Sequence, residues 1–294
     1  MSAYDYHQPE SLKDAFRLRK SIPESLYISG GTDLMVRIKK REMRPQALIS
    51  LRSIPGLSGI ENDKMVRIGA MTVVSELANN PVLQGRYPVL VQAANALGSV
   101  QIRNVATIGG NLCNGSPAAD LAPPLLVLEA KIQIQNGQTT RELPLDKFFL
   151  GPGETDLSQG EILTDILLES PKKNTKAIFL KKGRTGMDLA VASTAVLITT
   201  DEGRCREARV AVGSVASTPL RLSSVENLLE GNSLSIELLD EAQKLAAESV
   251  SPISDVRASA DYRRHLTEVL VRRALVKIHR ELSGNNHFGD EQRT

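Results

Sequence analysis

Two short stretches carry adjacent glycines: YISGGTDL at Tyr27–Leu34 and IGGNLCNGSPAADLAPP at Ile108–Pro124. A Gly-Gly pair removes two Cβ atoms and admits positive φ, so something must approach the backbone closely at both places. Successive amides in such a turn can converge on one anion. At Gly30-Gly31 an apolar strand pattern leads in and a helical pattern leads out, which adds the partial positive charge of a helix N-terminus. A tight turn with no ligand explains either pair taken alone. Both pairs follow a short apolar approach (Tyr27-Ile28 and Thr107-Ile108) and precede a small polar residue (Thr32 and Asn111). Together they suit an extended ligand with two phosphates. The chain has no G-x-G-x-x-G and no P-loop, so a dinucleotide here calls for a different fold.

Asp120 lies in the second stretch, after Ser116-Pro117 and before Leu121 and Pro123-Pro124. A carboxylate among apolar residues needs donors. Ribityl or ribose hydroxyls would supply them, and so would the amides of its own loop. Cys113 reads as a small packed side chain, because no histidine can be placed beside it as a base. No Ser–His–Asp or paired-carboxylate constellation is present. The basic run RIKKREMR, Arg37 to Arg44, reads as a solvated helix end.

A chain of 294 residues has room for two or three domains and a sizeable core. Its 36 basic and 34 acidic residues leave a net charge of +2, which argues against a broad nucleic-acid footprint. Two distant cysteines, Cys113 and Cys205, and four histidines cannot assemble a protein-held zinc site or an iron–sulfur cluster. There is no apolar run of membrane-spanning length, and the opening MSAYDYHQPE is too polar for a signal peptide. The expectation is a cytoplasmic protein.

Local pattern divides the chain into three units and a tail. In 1–57, PESLKDAFRLRK is helical by spacing, SLYIS and QALISL are strands, and TDLMVRIKK is a helix with Thr32 as its N-cap. In 58–175, MVRIGAM is a strand, TVVSELANNP and YPVLVQAANALG are helices, and KIQIQNGQTTREL is a hairpin turning at Asn136-Gly137. FFLGPGETDLSQGEIL reads as a loop. In 176–283, AIFLKKG, LAVASTAVLITT and CREARVAVGSV are three strands followed by two helices. In the last helix Leu266, Leu270, Ala274 and Ile278 recur every four residues on one face. The tail 284–294 has no such face and reads as disordered.

SVQIRNVATIGGNLCNGSPAADLAPPLLVLEA closely resembles the second flavin loop of the FAD-binding (medium) subunits of molybdenum hydroxylases, the xanthine dehydrogenase and carbon monoxide dehydrogenase family. YISGGTDLM resembles the first loop, FLKKGRTGMDLAVAS the opening of the third domain, and SDVRASADYRRHL a C-terminal signature. YHQPESLKDA fits as well, so the likeness runs in order over about residues 4–282. It implies an α+β protein: a two-subdomain FAD-binding fold of the vanillyl-alcohol-oxidase (PCMH) type, plus a C-terminal α+β domain with a three-stranded antiparallel sheet. It also implies that amides of Tyr27, Ile28, Ser29, Gly30, Gly31, Thr32, Asp33 and Leu34, and of Thr107, Ile108, Gly109, Gly110 and Asn111, hold the FAD diphosphate. Thr32, Thr107 and Ser116 would add hydroxyl contacts and Asp120 would bind polar groups of the flavin half. Leu163 and Lys181 match positions near the isoalloxazine. Leu97 and Leu189 stand where relatives carry aromatics, and the cysteine-rich loop of the [4Fe–4S]-binding subgroup is missing.

The implied function is electron transfer, with no side chain here acting as acid, base or nucleophile. The partners implied are a [2Fe–2S] iron–sulfur subunit and a molybdopterin-containing large subunit, in a dimer of heterotrimers, with NAD⁺, oxygen or another compound as electron acceptor. One alternative is a self-sufficient FAD-dependent oxidoreductase of similar fold, which would need its own substrate pocket with acid–base residues. A scaffold that has lost flavin is the other. Intact glycine pairs and Asp120 speak against it.

Overall fold

The computed structural model describes residues 4–283. The expected disordered tail, 284–294, lies outside the described residues.

The chain begins with strand β1 (Asp5–His7), helix α1 (Leu12–Ser21), β2 (Ser25–Ile28), α2 (Leu34–Lys39) and β3 (Ala47–Ser50). These strands form a parallel sheet with β3 in the centre. All four β3 residues are buried, as expected of a central parallel strand covered on both faces. Ser11 caps α1 by accepting from the Asp14 amide at 3.1 Å. Thr32 is not the cap of α2. That position is Asp33, already helical in backbone and making no side-chain cap bond.

The middle of the chain runs through β4 (Ile60–Asn62), β5 (Val66–Gly69), α3 (Val74–Asn79), α4 (Pro81–Arg86), α5 (Pro88–Ala96), α6 (Val100–Arg103), α7 (Ile108–Cys113) and α8 (Ala122–Val127). Strands β6 (Lys131–Gln135), β7 (Thr140–Pro144), β8 (Phe149–Gly151), β9 (Glu154–Thr155) and β10 (Ile162–Leu168) follow. The antiparallel sheet order is β4-β5-β10-β6-β7. The β6–β7 hairpin turns at Asn136-Gly137, where the Asn136 side chain accepts from the amides of Gln138 and Thr139 and Gly137 has φ 89°. The stretch expected as a loop holds the small β8–β9 hairpin and the first two residues of β10. Its turn glycines hid two short pairings. Helices pack over the sheet around Tyr87, whose ring is fully buried and whose hydroxyl donates to the Glu169 carbonyl at 2.9 Å.

The last unit is an antiparallel sheet of β11 (Thr175–Lys182), β12 (Ala192–Asp201), β13 (Arg204–Gly213) and β14 (Leu220–Arg221). The expected three strands become four, because the chain after β13 doubles back for a two-residue pairing too short to show periodicity. Three helices follow rather than two: α9 (Ser223–Leu229), α10 (Ile236–Glu248) and α11 (Ala260–Ser283). Leu266, Leu270, Ala274 and Ile278 on α11 are all buried. None of the helices among the described residues is long and apolar enough to cross a membrane.

The units are joined by specific bonds. The Phe179 amide of β11 donates to Gln92 Oε1 of α5 at 2.8 Å, and Arg209 of β13 donates to the Val127 carbonyl at 3.1 Å. Arg263 of α11 is buried and donates to the carbonyls of Val191 and Ser214, each at 2.9 Å, and to Asp255 Oδ1 at 2.7 Å. Ser214, held at φ 68°, in turn donates its amide to the Pro117 carbonyl at 2.7 Å. The 116–120 segment is thus fastened from α11 through two links. Arg263→Met should destabilise the protein by about 1–3 kcal/mol, because it leaves the buried carbonyls of Val191 and Ser214 without their shared donor. Denaturant unfolding measures this, and a loss under about 1 kcal/mol would show that the clamp is dispensable.

Candidate functional site

The first glycine pair follows β2, and the second lies in the first turn of α7 rather than on a loop. The two segments touch. A Cβ on Gly30 would lie 2.2 Å from the Val105 carbonyl oxygen, one on Gly109 would lie 2.7 Å from Ala70, and one on Gly110 would lie 2.6 Å from Ser29 Oγ. So three of the four glycines are required by protein packed against protein. Gly31 is different: its φ of 73° turns the chain from β2 toward α2.

Between these segments opens a cleft of about 440 Å³. Tyr27 to Leu34 form one wall, and Thr107, Gly110, Asn111, Ser116 and Asp120 form the other. A side cavity of about 130 Å³ shares Tyr27, Ser29, Gly110 and Cys113 with it and continues to Gly109 and Leu163. Ile108 is fully buried and lines neither. Leu97 and Leu189 both reach the cleft, Leu97 buried and Leu189 half exposed. Sequence reading missed Met43, Ile102 and Met187, and Arg37 from the run expected to be a solvated helix end also lines the cleft. Only the Arg37 position had a signal, a basic residue close after Gly31.

The two walls differ in what they offer. The amides of Gly30, Gly31, Thr32 and Asp33 bond to no acceptor among the described residues. Those of the second wall are engaged: Ile108 to the Thr72 carbonyl at 3.0 Å, Gly109 to Ala70 at 2.8 Å, Gly110 to Thr107 Oγ1 at 3.0 Å and Asn111 to the Thr107 carbonyl at 3.0 Å. The two segments, expected alike to present amides to a diphosphate, thus differ in how many of those amides already have partners within the protein. Closing the first turn of α7 against Ala70 and Thr72 uses the second set. Ser116 Oγ accepts from the Ala118 amide at 3.2 Å, which leaves its proton for an outside acceptor.

Asp120 does not bond the amides of its own loop; its protein partner is Lys181. The carboxylate is buried, and Oδ2 lies 2.6 Å from Lys181 Nζ, which also donates to the Ala96 carbonyl at 3.0 Å. Oδ1 is buried with no partner. Burial pushes its pKa up to about 6, opposed by the Lys181 ammonium through charge and hydrogen bond. Lys181 therefore stands behind Asp120 and is absent from the cleft lining. Burial pushes the Cys113 thiol up to about 12, so it is not a thiolate nucleophile at neutral pH.

Gly30→Ala should cost about 1–3 kcal/mol of stability, since its methyl meets backbone that cannot step aside. Gly110→Ala should cost less, because the Ser29 hydroxyl can rotate away, and Ser29→Gly should remove that residual cost. Chemical denaturation of the three variants tests the order. Equal costs at positions 30 and 110 would refute the packing explanation.

Residues 2–171 match the family model described as the FAD binding domain in molybdopterin dehydrogenase, and residues 177–278 match the CO dehydrogenase flavoprotein C-terminal domain. The carbon monoxide dehydrogenase medium chain of Hydrogenophaga pseudoflava is 32 % identical over 274 residues, covering 92 % of this chain and 96 % of that one. The xanthine dehydrogenase FAD-binding subunit of Escherichia coli O157:H7 is 31 % identical over 274 residues, covering 92 % and 94 %. The solved structure of the Hydrogenophaga enzyme lacking the Mo-pyranopterin moiety of its cofactor aligns with a TM-score of 0.90 and 33 % identity, covering 93 % of this chain and 96 % of that one. The chain belongs to the family of FAD-binding subunits of molybdopterin dehydrogenases, oxidoreductases of the xanthine and carbon monoxide dehydrogenase type whose cofactor in this subunit is FAD.

Proposed function

We propose that this chain is the electron-transfer subunit of a cytoplasmic molybdenum hydroxylase complex, placed between the [2Fe–2S] clusters of a partner subunit and NAD⁺, oxygen or another acceptor. Its partners are the iron–sulfur chain and a molybdopterin-containing large chain, assembled as a dimer of heterotrimers. We further propose that residues 1–57 and 58–175 are the two subdomains of a vanillyl-alcohol-oxidase (PCMH) type FAD fold and 176–283 the C-terminal flavoprotein domain.

The observation that carries this reading is the pairing, across one cleft, of the unpartnered amides of Gly30–Asp33 with the unpartnered, buried Asp120 Oδ1. FAD has a complement for each: an anionic diphosphate and a polyhydroxyl ribityl chain. Bound there, FAD supplies the redox chemistry. The chain's own residues bind and orient. The amides from Gly30 to Asp33 take the diphosphate, and the hydroxyls of Thr32, Thr107 and Ser116 take neighbouring oxygens. Asp120 accepts from flavin-half hydroxyls, while Leu97, Leu163 and Leu189 cover apolar ring surface. Described residues include no acid–base pair positioned at the cleft for a substrate of its own, which favours the subunit reading over a self-sufficient oxidoreductase.

An affinity tag on this chain in its native host should retain two further chains, with FAD, iron and molybdenum in the eluate. A flavin-loaded single chain that oxidises a small substrate without metal would instead establish the self-sufficient enzyme. Within the cleft, Asp120→Ala should weaken FAD binding by roughly 1–3 kcal/mol, the usual cost of leaving a partner of a charged group unpaired. Gly110→Val should abolish FAD retention by filling the gap between the walls. Quenching of flavin fluorescence on titration reads both, and wild-type affinity in either variant would move the cofactor elsewhere.

A further inference from the structure

Lys181 comes from β11, in the C-terminal unit, while Asp120 lies between α7 and α8 of the middle unit. Their side chains are 7 % and 4 % exposed and meet at 2.6 Å. The ammonium is fixed by a second acceptor, the Ala96 carbonyl at the end of α5. A flexible four-carbon stem rarely gives a single geometry, yet here two acceptors and burial hold it. The arrangement leaves one carboxylate oxygen bonded at the back and the other, Oδ1, buried and without a partner in a residue that lines the cleft.

We propose, on the reading that FAD occupies this cleft, that Lys181 is a positioning residue that touches no cofactor atom: it anchors Asp120 as a carboxylate whose Oδ1 is presented to the cofactor hydroxyls. The family resemblance had placed Lys181 beside the isoalloxazine. The geometry assigns it to the opposite side of Asp120. Its consequence is that the C-terminal unit controls the acceptor character of a site made largely by the other two.

The supporting chemistry is direct. Burial alone drives Asp120 toward the neutral acid, and Lys181 is the one group that opposes it. A protonated Asp120 donates where an acceptor is needed. The other titratable groups of the cleft are Tyr27, Asp33, Arg37, Cys113 and Asp188, the last paired with Arg184 at 3.3 Å. None of them bonds Asp120.

The test is FAD affinity of the purified full chain across about pH 5 to 9, which brackets an elevated carboxyl pKa. In the unaltered chain, affinity should fall as pH drops through about 6. In Lys181→Met the midpoint should rise by at least about one pH unit, because the opposing charge is gone. Affinity near neutral pH then drops about two-fold for a one-unit rise, or about ten-fold for a two-unit rise, and recovers toward about pH 9. Asp120→Asn should flatten the profile, and adding Lys181→Met to it should change affinity less than about two-fold, since the two act as one unit. Lys181→Gln retains a donor without the charge and should shift the midpoint in the same direction, which serves if the methionine variant fails to fold. A loss of equal size at every pH, or a full Lys181 effect persisting in Asp120→Asn, overturns the proposal in favour of direct contact or packing. Failure of the unaltered chain to bind FAD at any pH overturns the cofactor reading itself.

Discussion

The close approach of two backbones, Gly30 against the Val105 carbonyl, is the constraint on which the cleft depends. No side chain fits there, so the turn after β2 settles directly onto the segment before α7. Gly109 on Ala70 and Gly110 on Ser29 continue the same contact. It brings the small parallel sheet and the larger antiparallel sheet close enough for their connecting segments to face each other. Interiors are packed too densely for such an interface to absorb an added methyl without movement.

The same contact makes the cleft asymmetric. Closing α7 against Ala70 and Thr72 satisfies its first amides, as buried backbone must be satisfied. The first loop has no such neighbour, and its amides from Gly30 to Asp33 have no acceptor among the described residues. The α2 helix that follows has only six residues, so its dipole is a smaller factor than the unpaired donors themselves. One wall offers backbone donors and the other hydroxyls, a carboxylate oxygen and apolar surface.

Asp120 ties this asymmetry to the third unit. Burying a carboxylate is costly unless it is paired, and the pair comes from β11. Removing either partner of such a buried pair leaves the other charge uncompensated, so the pair is a rigid element of the site as well as an electrostatic one. The Arg263 clamp serves the same segment from another direction, through Ser214 to Pro117. Two cations of the C-terminal unit, one behind the carboxylate and one behind its loop, therefore hold the wall of a cleft that the preceding units mainly build.

Much of the architecture was legible in local pattern. Alternation through Ile132 and Ile134 with Asn136-Gly137 between specified the β6–β7 hairpin, and the four-residue recurrence from Leu266 to Ile278 specified the buried face of α11. These signals survive because periodicity and turn chemistry act between near neighbours. The family motifs pointed by resemblance to the segments that line the cleft and to FAD as the family's cofactor. Tertiary structure alone decided why the glycines are there, which amides are free, and what stands behind Asp120. Gly30 meets a residue 75 positions on, and Asp120 meets one 61 positions on. No local window contains both members of either contact. The two-residue β14 and the β8–β9 pairing escaped for a related reason: strands that short are stabilised by the sheet they join, not by any pattern of their own.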